Sequence, residues 1–203
     1  MSGEPSLTRR GAATRERLLG AAEAELTERD GALEVASVAA RADVSVGLLY
    51  RYFDSKAGLV AAVVESFYDR FHAEVADTDP APDADWAARE RKRLELSVAF
   101  HYREPLAAVV LSRLSREPGV AGVEVRRIER LVEDAARNVT AGQRRGELPA
   151  DLDPRTVGAM LIGGFRVAMG EALSRRERPD AKLLVEDLWR FVVNGVRFTD
   201  VAA

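Results

Sequence analysis

Tyr50, Arg51, Tyr52 and Lys56 place two phenols, a guanidinium and an ammonium within a span of seven residues. Phenol hydroxyls and an alkylammonium suit phosphate oxygens, which position a partner without reading it, while a guanidinium can reach either a phosphate or a base edge. Just before them stand Val46, Gly47 and Leu48. Valine and leucine offer no hydrogen bonds, so this face would touch thymine methyls and sense groove shape. Arg9 and Arg10, far upstream, would either order along a backbone or in a minor groove, or remain a solvated tail. Such groups need a rigid support, and residues 38–56 supply one. Val38, Ala39 and Ala42 give a short helix an apolar face. Asp43 stands where the chain must reverse and tolerates the left-handed conformation better than most residues. Val44 plugs the angle between helices. Ser45 is a good N-cap for the next helix, whose Leu49 and Phe53, four apart, would face a core. The pattern is two short helices joined by a tight turn, the second exposing small, aromatic and basic side chains, and it suits a major groove.

The run Ala42-Asp43-Val44-Ser45-x-Gly47-x-Leu49-Tyr50-x-Tyr52-Phe53-x-x-Lys56 resembles the DNA-binding signature of the tetracycline-repressor (TetR) family of bacterial regulators, densely over residues 14–60. Two departures stand out. The family often has Gly where this chain has Asp43, and Thr as the N-cap where Glu34 stands, a weaker cap by about 1 kcal/mol. The resemblance implies a helix-turn-helix domain over residues 1–55 and a ligand-binding and dimerisation domain over 56–203. It implies a homodimer on a roughly palindromic operator in double-stranded DNA, and release by a small-molecule inducer held inside the second domain.

The chain has 203 residues, enough for one large domain or two small ones with proper cores. There is no cysteine, which removes disulfides, thiol nucleophiles and thiolate metal sites and fits a reducing, cytoplasmic setting. No secretion signal opens the chain, and no apolar run approaches the length needed to span a bilayer. The net charge of −3 argues weakly against nucleic acid, but Arg9, Arg10, Arg15, Arg17, Arg51 and Lys56 gather near the proposed reading surface. His72 and His101 are the only histidines. His72, at the end of a long helix, reads as solvent-facing. His101 reads as a ligand contact or as a hydrogen-bonded, partly buried side chain. With no nucleophile elbow, phosphate-binding glycine loop or metal-ligating pattern, the sequence points to no catalytic residue, no metal and no cofactor.

Helical periodicity dominates, and no alternation is long enough for a strand. Residues 1–8 read as a disordered polar tail. The expected helices are Thr14–Arg29, the two described, Lys56–Asp77, Trp86–Tyr102, one opened by Pro105, Val123–Gln143, one opened by Asp153-Pro154, and a last one opened by Pro179-Asp180. The fold class is therefore all-α, about nine helices, a three-helix head and a helical body. The last two helices are apolar around most of their circumference. Such helices either lie central in a monomer or cover one side with a second copy. The breadth of the apolar surface favours the second copy, and the resemblance implies a four-helix bundle of these two helices from each subunit, with Leu161, Phe165, Ala168, Leu184, Leu188, Trp189 and Val192 at the contact. Gly163-Gly164 reads as a close helix crossing. Candidate inducer contacts are Trp86, Phe100, His101, Tyr102, Met160, Phe165, Arg166 and Met169, a mixture suited to an apolar or amphipathic molecule. Arg166, inside a strongly apolar helix, is either an anion anchor or half of a buried ion pair. The rival reading is a helical small-molecule-binding or interaction protein that keeps this fold without using DNA.

Overall fold

The computed structural model describes residues 8–197, and among these it is entirely helical. The helices are α1 (Arg9–Glu28), α2 (Val35–Arg41), α3 (Val46–Phe53), α4 (Lys56–Phe71), α5 (Trp86–Arg103), α6 (Ala107–Ser112), α7 (Ala121–Arg144), α8 (Pro154–Ser174) and α9 (Ala181–Arg197). A π-helical turn, His72–Ala76, extends α4, and a 3-10 turn, Leu114–Arg116, follows α6.

Helix ends follow from side-chain chemistry. Thr8 caps α1 by accepting the Gly11 N–H at 3.2 Å, so the helix begins five residues before the expected Thr14. Residues 1–7 of the expected tail lie outside the described residues. At the turn after α2, Asp43 takes φ +53°, and the Val44 N–H donates to the Ala39 carbonyl at 3.0 Å. This is the Schellman closure that glycine usually completes, so Asp43 does the turn's work at a cost of about 1 kcal/mol. Glu34 precedes α2 without making a side-chain cap, as its residue type predicts. Ser45 accepts the Leu48 N–H, Ser55 the Gly58 N–H, and Asp153 the Thr156 N–H ahead of Pro154.

One apolar core runs from the head into the body, through Leu18, Leu26, Val38, Leu49 and Leu59 to Phe67, Phe100, Leu106 and Met169. α4 is the shared element, packing on α1 and α3 at its start and on α7 further along. α8 lies along α7 and α6, and α9 along α5. The close crossing of α8 on α7 is made by Gly158, where a Cβ would stand 2.8 Å from the Val132 carbonyl oxygen. Gly163 and Gly164, expected at a crossing, are exposed, and a Cβ at either would meet nothing within 4 Å in the protomer.

The helix expected over Lys56–Asp77 is present, with its last turn, His72–Ala76, widened to π geometry. Arg93 occupies the freed carbonyls, donating to Val75 at 3.0 Å and Thr78 at 2.8 Å. His72 does not face solvent: it is 2% exposed. The expectation that no apolar run approaches bilayer-spanning length also fails by length and composition alone: α8 has 21 residues and a mean hydropathy of 1.2.

Candidate nucleic-acid interface and ligand cavity

The head presents its chemistry as expected. Leu49 and Phe53 are buried, which turns Ser45, Val46, Gly47, Tyr50 and Arg51 outward along one side of α3, with Leu48 and Tyr52 half-buried beside them. Val46 is 40% and Tyr50 41% exposed. Lys56 stands at the first position of α4, next to α3's end. Arg9 and Arg10 are not in a tail; they occupy the first turn of α1 and are exposed. Cations at a helix N-terminus add to its positive dipole end, which suits a phosphate neighbour better than an isolated fold.

Charge pairing separates the head's cations into two groups. Arg29 and Arg41 are tied up by Glu25, Glu28 and Glu34, and Glu25 also accepts from Ser37 at 2.8 Å, locking α1 to α2. Ser37, and next to it Arg29, hold the Glu25 carboxyl below its ordinary range. Arg15 lies over the Phe53 ring at 5.5 Å. Arg9, Arg10, Arg17, Arg51 and Lys56 have no carboxylate partner among the described residues. The head as a whole is not basic, having seven arginines against nine carboxylates over residues 1–55, but the cations left without a partner make its reading side locally positive.

The body holds a cavity of about 370 Å³ between α4, α5, α7, α8 and α9. Phe71, Val75, Leu94 and Leu131 make much of its apolar wall. Of the candidate inducer contacts, Trp86, His101, Met160, Phe165 and Arg166 reach it, whereas Phe100 and Met169 are sealed in the core. Tyr102 also lies off the cavity and donates to the Pro179 carbonyl at 2.8 Å. Of the residues assigned to a subunit contact, Leu161, Phe165, Ala168, Leu188, Trp189 and Val192 line the cavity. Leu184 packs on the core.

Polar groups enter this wall at defined places. Arg166 is half of a buried ion pair: its Nη2 donates to Glu124 Oε2 at 2.7 Å, and Tyr68 donates to the same carboxylate at 3.0 Å. Burial pushes the Tyr68 phenol up, well above its ordinary range. Sequence reasoning singled out Arg166 but neither partner, because the three come from different helices. His101 sits among the rings of Phe67, Phe71, Phe100 and Phe165, and its Nδ1 donates to the Ser97 carbonyl at 2.7 Å. Burial drives its pKa down to about 4. A neutral His101 in the fold and a titratable one in the unfolded chain make stability pH-dependent. Above the unfolded value near 6.5 the contribution is complete, and it is lost as pH falls towards 4, because the unfolded chain then binds the extra proton. The loss is about 3 kcal/mol. Urea titrations at pH 7 and pH 4.5 should show it, and His101→Phe should flatten that difference.

Further along the cavity, Trp86 Nε1, Glu90 Oε1, Arg93 Nε and Asp134 Oδ2 are buried without hydrogen-bond partners. Burial raises the Glu90 carboxyl above its ordinary range, towards the neutral acid. Sequence reasoning missed Glu90, Arg93 and Asp134, which look like ordinary charges on solvated helix faces.

The geometry defines a class: a helix-turn-helix head with an unpaired basic surface, joined by one long helix to an all-helical body containing a cavity. Residues 18–63 match the model of the bacterial regulatory proteins of the tetR family. No curated protein matches the chain. Among solved structures, a TetR-family transcriptional regulator from Pectobacterium atrosepticum is 23% identical, with a TM-score of 0.73, over 95% of this chain and 98% of that one. The transcriptional regulator FadR from Bacillus subtilis, in complex with stearoyl-CoA, is 18% identical, with a TM-score of 0.78, over 90% of this chain and 99% of that one. AibR, in complex with isovaleryl coenzyme A and operator DNA, is 16% identical, with a TM-score of 0.66, over 88% of this chain and 97% of that one.

Proposed function

We propose that the protein is a ligand-responsive transcriptional regulator, a repressor that binds a palindromic operator as a homodimer and leaves it when an apolar or amphipathic molecule fills the body cavity. The observation that carries this reading is a matched helix-turn-helix head whose outward cations are unpaired, on the same rigid helix as a cavity lined by Phe71 and Val75. Residues 1–55 are the DNA-binding part and residues 56–203 the ligand and dimer part. Tyr50, Tyr52 and Lys56 hold phosphates; Val46, Gly47 and Leu48 meet base edges; Arg51 reads a base. The operator DNA held by AibR supports this use of the fold.

The acyl thioesters held by two similar structures support an acyl-type ligand. The cavity here could take an apolar chain, with the Glu90–Arg93 end meeting a polar group. A transmission route is present. α8 packs on α6, and Arg113, just past α6, pairs with Asp30 at the end of α1. Arg70 of α4 bridges Glu23 of the head and Glu104 of the body, each at 2.9 Å. A ligand that shifts α8 therefore pushes on the head, provided it binds the DNA-free state more tightly.

For the dimer, the supporting observation is an apolar face left in solvent. Met160 and Val167 of α8 and Leu183 and Phe191 of α9 are 64%, 75%, 66% and 65% exposed, and Gly163 and Gly164 between them leave room for another backbone. Phe191→Arg, or Leu183→Arg, should give monomers in sedimentation velocity; an unchanged dimer would move the contact elsewhere. These sites are better probes than Trp189, which packs toward Trp86 inside the protomer.

Selection from a random duplex pool, followed by affinity at several salt concentrations, tests the whole reading. A palindromic winner whose log affinity falls linearly with log salt is expected. Lys56→Ala should weaken binding to all duplexes and reduce that slope by about 1 per protomer. Arg51→Ala should change which bases are preferred, and uniform loss would remove Arg51 from base reading. Absence of enrichment, with any ligand stripped, would leave the fold a binding protein that does not use DNA.

A further inference from the structure

A buried histidine with nothing to bond is the least expected feature of the body. His72 is 2% exposed, and neither ring nitrogen has a hydrogen-bond partner. Unpaired buried nitrogens of this kind are rare in folded proteins and call for a ligand, a water or an ion. Two carboxylates stand beside the ring. Asp77, just past the π-helical turn, brings Oδ1 to 3.8 Å from Nδ1, and Asp134 of α7 brings its own carboxylate in. One ligand atom from each of the three lies within 4.8 Å of the others. Asp134 Oδ2 is itself buried and unpartnered.

The geometry points to a divalent metal site formed by His72, Asp77 and Asp134. One imidazole and two carboxylates suit a first-row transition ion such as Zn²⁺ better than Mg²⁺ or Ca²⁺, which seek all-oxygen shells. Neighbouring ligand atoms around tetrahedral zinc are about 3.3 Å apart, so the 3.8 Å between His72 and Asp77 would close by about 0.5 Å and the remaining separations by up to about 1.5 Å. Asp134, alone of the three, also lies on the cavity wall. The cation now in this place is Arg130, whose Nη2 bonds Asp77 at 2.9 and 3.0 Å, and Arg137 pairs with the other oxygen of Asp134. A metal would displace the Arg130 contact and bind Asp77 in its stead. The π-helical turn serves this arrangement, since it keeps His72 on the buried side while bringing Asp77 round to it.

The test uses the full chain, treated with chelator and kept free of DNA, so that its outcome does not depend on the regulator reading. Titration with ZnSO₄, followed by calorimetry and thermal denaturation, should give one ion per chain. At a hundredfold excess over Kd, the melting temperature should rise by about 5–10 °C. MgCl₂ at the same concentration should do nothing. Co²⁺ in place of Zn²⁺ should show the intense, red-shifted d–d bands of a four-coordinate ion, which free aqueous Co²⁺ lacks and a purely structural role for His72 would not produce. Asp77→Asn, at a half-exposed position, should fold normally and weaken Zn²⁺ by about tenfold or more. Arg130→Gln should tighten it. Wild-type protein without saturable binding, or binding equal in Asp77→Asn, Asp134→Asn and the parent chain, would overturn the site.

Discussion

Arg166→Leu is expected to lower the unfolding free energy by about 3–5 kcal/mol. The reason is what stays behind. Glu124 is 4% exposed, and without Arg166 only the Tyr68 hydroxyl among the described residues would bond it. An ionised carboxylate in that position has lost its water and its counter-charge together. Chemical denaturation gives the size of the loss, and the double variant Arg166→Leu/Glu124→Leu should recover most of it, since both charges then leave the core. A loss under about 1 kcal/mol in the single variant would mean that the pair is solvated in solution. The same cycle bears on ligand binding, because Arg166 also borders the cavity.

Gly58→Ala is the second large effect, and it is local to the head. A Cβ at Gly58 would stand 2.2 Å from the Phe53 carbonyl oxygen, a backbone atom that cannot step aside alone. That carbonyl is held where it is by the turn between α3 and α4. Asp54 takes φ +56° and ψ −38°, and the Ser55 N–H donates back to Phe53 at 2.5 Å. This is the strained, positive-φ form of the γ-turn. Adding one methyl must open it and move α3 against α4, at a cost of about 2–4 kcal/mol. Hydrogen exchange separates the outcome from global unfolding: amides of α2 and α3 should exchange faster while those of α7 and α8 stay protected. Equal loosening throughout would show that head and body open as one unit.

Much of the head was readable from the chain. Ser45, Leu49 and Phe53 have the spacing that caps a helix and buries one side of it, and this alone turns Tyr50 and Arg51 outward. Asp43 was readable as a turn because its side chain tolerates left-handed backbone. The body was less readable, for two physical reasons. Tyr68, Glu124 and Arg166 meet only in three dimensions, and each looks ordinary on its own helix. His72 is a different case. Val60, Val64, Tyr68 and His72 recur every fourth residue, and that stripe carried the signal for its burial; the position near a helix end misled. The cavity itself shows why one-dimensional apolarity is ambiguous. Leu188 and Val192 carry the broad apolar pattern that suggests a partner subunit, yet within the protomer they face an internal space.

Met160 and Phe191 belong to two surfaces at once: they line the cavity and they stand in the exposed apolar face of α8 and α9. In the proposed dimer that face is the seam between subunits, so the doorway of each chamber lies under the neighbouring chain. Escape of a bound molecule then waits on the parting of the subunits, and its residence time lengthens as the protein becomes more concentrated. A cell holding few copies would respond and reset quickly, whereas one holding many would keep a memory of the signal after the signal had gone.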